Sequence, residues 1–324
     1  MSGRGLGITG GTIDKLESIP GYRTNISIDE FKNNVKEIGI SLISQTMNLA
    51  PADKKIYALR DAIACTDSTP LIASSIMSKK IAAGANAIVL DVTCGKGAFM
   101  QNKDSAKKLA KLLILIGKDA GRETACVLTN MDEPLGKNVG NSLEVIEAIE
   151  ALNGNMSKDV EEVVLAIASQ MMRLSGKYPN INENKKIVLD TIKSGKAIEK
   201  MKELVKRQGG DSSYIENPNK FEKAPFVMPV LAKKKGYVEE LDAGKIGRIG
   251  VELGIGRVNK DDIIDPQVGF VFEKKIGDQV EVDDILAYVH SNSFEKATAC
   301  IDKVYNAYKI GNKKVLKKNI IEIL

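Results

Sequence analysis

Tryptophan is absent from the 324 residues, aromatics make up only 5%, and there is one histidine, His290. So few aromatics leave little surface on which nucleobases could stack. A single histidine excludes a His-based catalytic triad and a zinc site with several His ligands. The four cysteines, Cys65, Cys94, Cys126 and Cys300, are widely spaced and form no CxxC pair, so they read as reduced thiols of a cytosolic chain. No apolar run reaches the ~18 residues of a membrane span. The opening Met-Ser-Gly-Arg-Gly holds no apolar signal region, and a cytoplasmic location is expected. Neither sign of charge dominates: 47 basic against 42 acidic side chains give +5. That suits an anionic small ligand and is too mild for nucleic acid. The lysine groups at 54–55, 79–80, 233–235 and 313–318 read as solvated faces. With 43% hydrophobic and 27% charged residues, the chain is neither disordered nor collagen-like. Its length predicts about two or three domains, with a core that needs no disulfide staples.

What is present begins at once. Residues 1–18 form a glycine-rich, hydroxyl-bearing loop. Gly5, Gly7 and Gly10 match GxGxxG, but no strand precedes them, so a dinucleotide fingerprint lacks its context. Ser27 and Glu30 make a capping box that opens a helix over 28–37. GISLIS (39–44) reads as a short buried strand. Pro51 starts a helix carrying Tyr57 and Arg60, broken at Thr66–Pro70. A further helix runs to Ala83 with Ser75 and Lys79 one turn apart. NAIVLDV (86–92) reads as a central parallel strand. A glycine turn then leads to a helix over 104–118 with Leu109, Leu112, Leu113 and Ile116 inward. TACVLT (124–129) is the next strand, and a loop over 130–141 runs into a helix over 142–152.

Strand alternating with helix predicts an α/β fold whose mostly parallel sheet is flanked by helices. Ligands are expected beyond the strands' carboxyl ends, at the turns 93–98 and 130–141. From 157 to 208 the pattern is helical, with Val160, Val163, Val164, Ile167 and Met171 spacing one helix. Residues 211–224 look like a linker. Beyond them come short strands, a helix over 244–254 and another over 293–310, an α+β domain with an antiparallel sheet. His290 falls in an alternating strand and reads as structural.

The runs MSGRGLGITGGTIDKLESIPG, LAPADKKIYALRDAIACTDSTPLIASSIMSKKIAAGANAIVLDVTCGKGAFM, PLGKNVGNSLEVIEAIEAL, VGFVFEKKIGDQV and LAYVHSN closely resemble the thymidine phosphorylase / pyrimidine-nucleoside phosphorylase family over essentially the whole chain. The resemblance implies a pentosyltransferase of nucleoside salvage that cleaves a pyrimidine nucleoside with phosphate, with no organic cofactor, nucleic acid or membrane involved. It implies a helical domain, an α/β domain and a C-terminal α+β domain, the site lying between the first two, and a homodimer. On that plan, 1–50 open the α/β domain with the phosphate segment and 51–83 are the remaining part of the helical domain. Residues 84–210 complete the α/β domain, 211–224 link, and 225–324 form the C-terminal domain.

Tyr57, Arg60, Ser75 and Lys79 are the implied pyrimidine-binding set, with Arg60 and Lys79 as the catalytic cations. Preorganised donors of this kind stabilise charge developing on the departing ring. Ser2 and Thr12 are the implied phosphate-binding hydroxyls beside exposed glycine amides. Leu135, Asn138 and Glu147 match the ligands of a potassium ion in some members. Uridine and thymidine both stay open as substrates.

The departures are specific. The family's Lys-His-Ser phosphate loop and opening helices have no counterpart here. Its glycine-run His is Ile8, its Asp-Val-Lys is Asp91-Val92-Thr93, and Lys96 is a candidate to replace the charge lost at Thr93. Two readings follow: a phosphorylase, or a non-catalytic fragment or larger half of a split enzyme. The related anthranilate phosphoribosyltransferase fold is disfavoured by the SGRGLG and YALRD runs. An apolar face at Ile56, Leu59, Ile63, Leu71 and Ile76 is expected to be exposed and to promote association. The cysteines read as core fillers, with Cys94 alone on a turn at the cleft.

Overall fold

The computed structural model of the chain describes all residues except 1, 6, 8, 9, 45–49, 54, 55, 57–67, 258, 260 and 261. Its α/β part is built on β1 (Ala87–Cys94) and β2 (Glu123–Asn130), paired in parallel from Ala87↔Glu123 to Cys94↔Asn130. The helix Lys103–Asp119 crosses between them, capped by the Asn102 side chain, which accepts from the Ser105 N–H. Ala106, Leu109, Ala110 and Leu113 of that helix bury one face against Ile88, Leu90 and Val92. Leu112 and Ile116 pack at its margin.

The helix Thr69–Ala82 lies on the same core through Ala73 and Met77. It starts where Pro70 sits in the first turn, a place where a missing N–H costs nothing. Among the described residues no helix is long and apolar enough to cross a membrane.

The C-terminal part is α+β. One antiparallel sheet runs β3 (Asn138–Val139), β6 (Gly269–Phe272), β8 (Ile285–Ser291) and β4 (Phe226–Leu231); a second runs β7 (Gln279–Val280), β5 (Gly236–Leu241) and β9 (Tyr308–Gly311). The helices Ala243–Leu253 and Phe294–Tyr305 close over a core that includes Phe270, Phe272, Leu286 and Val289. The two parts exchange strands. β3 leaves the α/β segment to pair with β6, and β10 (Ile320–Ile323) returns to pair antiparallel with β2.

Several expectations change. NAIVLDV is not central among the described strands: β2 is, because β10 occupies its far side. Residues 39–44 form no strand, only an isolated bridge between Ser2 and Ser44, because the Gln208 side chain supplies the partners of Leu42. Residues 211–224 are not a slack linker. They hold the helix Ser213–Glu216 and a 3-10 turn Pro218–Lys220, and they bury Ile215 and Phe221 with Ile19, Tyr22 and Ile149. Each such burial contributes roughly 1.5–3 kcal/mol, enough to hold so short a segment down.

Met171 is 60% exposed although its helix, Lys158–Leu174, buries Val163 and Ala166. The helix expected to reach 310 ends at Tyr305, since Tyr308–Gly311 is claimed by β5. Of the apolar face expected to be bare, Ile76 packs on the α/β core and Leu71 is half-buried, while Ile56 is half exposed. Leu59 and Ile63 lie outside the described residues.

Candidate functional site

The glycine-rich segment is fastened from below by one buried carboxylate. Asp14, on the short helix Thr12–Leu16, accepts from the Gly5 N–H at 2.7 Å, from Arg4 at 3.0 Å and from Arg257 at 2.9 Å. Gly11 is required here, because a Cβ would run into the Gly5 nitrogen and the Asp14 carboxylate. Lys15 pairs with Glu144 on the helix Asn141–Leu152. Of the two expected phosphate hydroxyls, Thr12 is exposed at the start of its helix. Ser2 is half-buried and donates its N–H to the Ile43 carbonyl at 3.0 Å. Ile8 lies outside the described residues.

The helix Thr69–Ala82 brings Ser75 and Lys79 together as the one-turn spacing predicts. Lys79 Nζ donates to Ser75 Oγ and to the Ser75 carbonyl, each at 2.8 Å, and lies 2.9 Å from Asp53 Oδ2. Ser75 and Asp53 are 7% and 8% exposed, so this is a largely dry ion pair aimed by a hydroxyl. The neighbouring Lys80 ammonium has its pKa lowered, first by burial and then by Lys79. The pair 79–80 is therefore not the solvated face expected. Tyr57 and Arg60 lie outside the described residues, although residues 51–53 and 56 are helical as expected.

The loop after β2 carries the third group. Glu147 accepts from the Lys137 N–H at 2.6 Å and the Asn138 N–H at 3.2 Å. Burial raises its pKa, against those two hydrogen bonds. Among the described residues no ion pair neutralises it, so a partly buried carboxylate lies against the loop that carries the Leu135 and Asn138 carbonyls. A carboxylate beside loop carbonyls is the oxygen-rich kind of setting that hard cations take, although Lys275 lies close enough to oppose the Glu147 charge. The same loop is held from its other side by Lys275, which donates to the Pro134 carbonyl, to the Gly136 carbonyl at 2.5 Å and to Asp159 Oδ2 at 3.2 Å.

At the carboxyl ends of β1 and β2 lies a cavity of about 700 Å³, lined by Lys96, Asp132, Glu240, Ile276, Lys317 and Lys318 among others. Neither Ser75, Lys79, Ser2 nor Thr12 lines it. Its cations are partly spent internally. Lys96 pairs with Glu240 rather than replacing charge near Thr93, and Lys317 pairs with Glu133, itself 2% exposed. Lys317 is thus a buried partner, not part of a solvated run.

Cys94, Cys126 and Cys300 are buried free thiols. Burial, then Asp132, pushes the Cys94 thiol up, which disfavours its thiolate. Cys65 lies outside the described residues. His290 sits in β8, where burial lowers its pKa.

Asp14, Asp53, Arg257 and Lys275 are the residues sequence reasoning missed. Asp53 had a signal, standing two residues after Pro51, where the sequence predicts a helix to start. Arg257 and Lys275 had none, because their partners are more than a hundred positions away.

Comparison with known proteins shows the family. Residues 1–198 match the family described as the glycosyl transferase family, a/b domain, and residues 237–311 match the pyrimidine nucleoside phosphorylase C-terminal domain. The pyrimidine-nucleoside phosphorylase of Bacillus subtilis is 48% identical over 310 residues, covering 96% of this chain and 71% of the relative. That of Staphylococcus epidermidis is 47% identical over 312 residues, covering 96% and 70%. A Staphylococcus aureus relative of the same name is 49% identical over 292 residues, covering 90% and 67%. Identity at this level along nearly the full chain leaves one assignment: the chain belongs to the pyrimidine-nucleoside phosphorylase family.

Proposed function

We propose that the chain cleaves pyrimidine nucleosides with inorganic phosphate. A phosphate oxygen bonds to the anomeric carbon as the bond from that carbon to the ring nitrogen breaks. The electron pair leaves with the pyrimidine, which then takes up a proton. The products are the free base and a pentose 1-phosphate. The observation that carries this reading is the Lys79–Ser75–Asp53 cluster. Asp53 and Ser75 hold the Lys79 ammonium in a dry place, where a cation stabilises charge developing on a pyrimidine oxygen far better than in water. Ser75 Oγ accepts from Lys79, so its own proton remains available for the ring edge. Tyr57 and Arg60 complete the base set in this proposal, with Arg60 as a second catalytic cation.

Ser2, Thr12 and the glycine amides around them receive phosphate. Leu135, Asn138 and Glu147 would hold a potassium ion, which supplies a structural cross-link between loop and helix. The protein works as a cytoplasmic homodimer. The test is release of uracil or thymine from uridine or thymidine by the folded chain, followed by chromatography with and without phosphate. Phosphate-dependent release supports the reading; folded protein releasing neither base overturns it.

A further inference from the structure

The glycine-rich segment is not held by its own half of the molecule alone. The C-terminal part reaches it with the loop that follows the helix Ala243–Leu253. The Gly7 N–H donates to the Arg257 carbonyl at 2.8 Å. The Arg257 guanidinium donates to Asp14 Oδ1 at 2.9 Å, and Asp14 in turn receives the Gly5 N–H. Arg257 is 12% exposed and Asp14 3%, whereas Arg4, the second guanidinium on Asp14, is 51% exposed and also tied to Glu17. Arg257 is therefore the dry partner of the pair.

Its own loop is braced. Arg257 Nε donates to the Asp262 carbonyl at 3.1 Å, and Asn141 Nδ2 donates to the Ile255 carbonyl at 3.0 Å. At Gly256 a Cβ would stand 3.1 Å from the Gly7 carbonyl oxygen, so the loop lies against the segment with no room to spare.

We propose that Arg257 is a positioning residue for phosphate: the C-terminal part, through Arg257 and Asp14, holds the glycine-rich segment in the shape that receives the anion. The proposal rests on the phosphate reading of that segment. Two guanidinium groups (Arg4, Arg257) face two carboxylates (Asp14, Glu17), so the cluster carries no net charge. Arg257 acts by fixing the path of the backbone at Gly5 and Gly7, whose own N–H groups are spent on Asp14 and on the Arg257 carbonyl, and so the shape of the segment around them, rather than by attracting phosphate. Ordering such a segment in advance removes a cost that binding would otherwise bear.

The experiment is calorimetric titration of the full chain with inorganic phosphate for wild type, Arg257→Met, Arg257→Lys and Gly256→Ala, with amide exchange measured alongside. Arg257→Met should weaken phosphate about tenfold or more, and Arg257→Lys should recover most of it. Exchange at Gly5 and Gly7 should quicken while Val127 and Leu128 in β2 stay protected. Gly256→Ala, which leaves Arg257 in place but crowds Gly7, should weaken phosphate as well and decides the matter if Arg257→Met does not fold. Unchanged phosphate affinity in both variants overturns the proposal, as does loss accompanied by faster exchange throughout β2, or a wild type that binds no phosphate. Arg257-dependent phosphate binding without base release would instead remove the phosphorylase reading and leave this one standing.

Discussion

The side chain of Gln208 satisfies both backbone groups of Leu42: Oε1 accepts from its N–H at 2.9 Å and Nε2 donates to its carbonyl at 2.8 Å. Nε2 also donates to the Arg23 carbonyl at 2.7 Å, and Gln208 is fully buried. One amide thus does for residues 41–42 what a neighbouring strand would have done. Gln208→Leu leaves three partly buried backbone groups without this partner and should cost about 3 kcal/mol. Urea unfolding checks this; a midpoint equal to wild type would show that water or a shifted loop replaces the amide.

Lys275 makes Asp159 an acid-sensitive contributor to stability. Burial alone would raise the Asp159 carboxyl, but Lys275, the Ser157 hydroxyl and the Gly136 N–H outweigh it and hold the pKa at about 2, below the ordinary 3.8. A depressed carboxylate adds stability above its unfolded value, and that stability is lost as pH falls through the folded one. Asp159 should therefore contribute about 2 kcal/mol near neutrality, disappearing between roughly pH 4 and pH 2. Asp159→Asn should flatten that part of the stability curve. Parallel curves for variant and wild type across this window would count against the assignment.

Lys79→Met should lower base release by a factor of about 10²–10³, the usual loss on removing one preorganised donor to developing charge. It should also destabilise, because the buried Asp53 loses this ion pair. Ser75→Ala leaves that pair in place and should cost roughly tenfold in turnover with little change in stability. Steady-state kinetics on folded variants separates the two. Equal, small losses would mean that the cluster is structural.

Among the described cysteines none should behave as a reactive thiol. Burial pushes Cys126 up to about 12 and raises Cys94 and Cys300 as well. Native protein treated with iodoacetamide near neutral pH should leave all three unmodified by peptide mass spectrometry, with labelling only after unfolding. Rapid labelling of Cys94 in the native state would contradict its burial at the end of β1.

Local signals carried far. The Ser27–Glu30 box, Pro70 at a helix start and the apolar spacing of Leu109 to Ile116 each name an element that forms where expected. These features act within a few residues, so the chain's order is enough to read them. Phe221 and Met171 show the limit. Both lie in segments with clear local character, yet one is buried and the other bare, because only neighbours distant in sequence decide which face is covered.

The sequence by itself therefore determined the family, the α/β plan and the one-turn pairing of Ser75 with Lys79, since motif order and helical period are properties of adjacent residues. Tertiary structure alone decided that Asp53 closes on Lys79, that Arg257 crosses to Asp14, and that β10 returns to the α/β sheet. The two ion pairs are set by burial, and the β10 pairing by a strand that returns from the far end of the chain. Such contacts join segments far apart in sequence, as with Arg257 and Asp14, so no local pattern announces them.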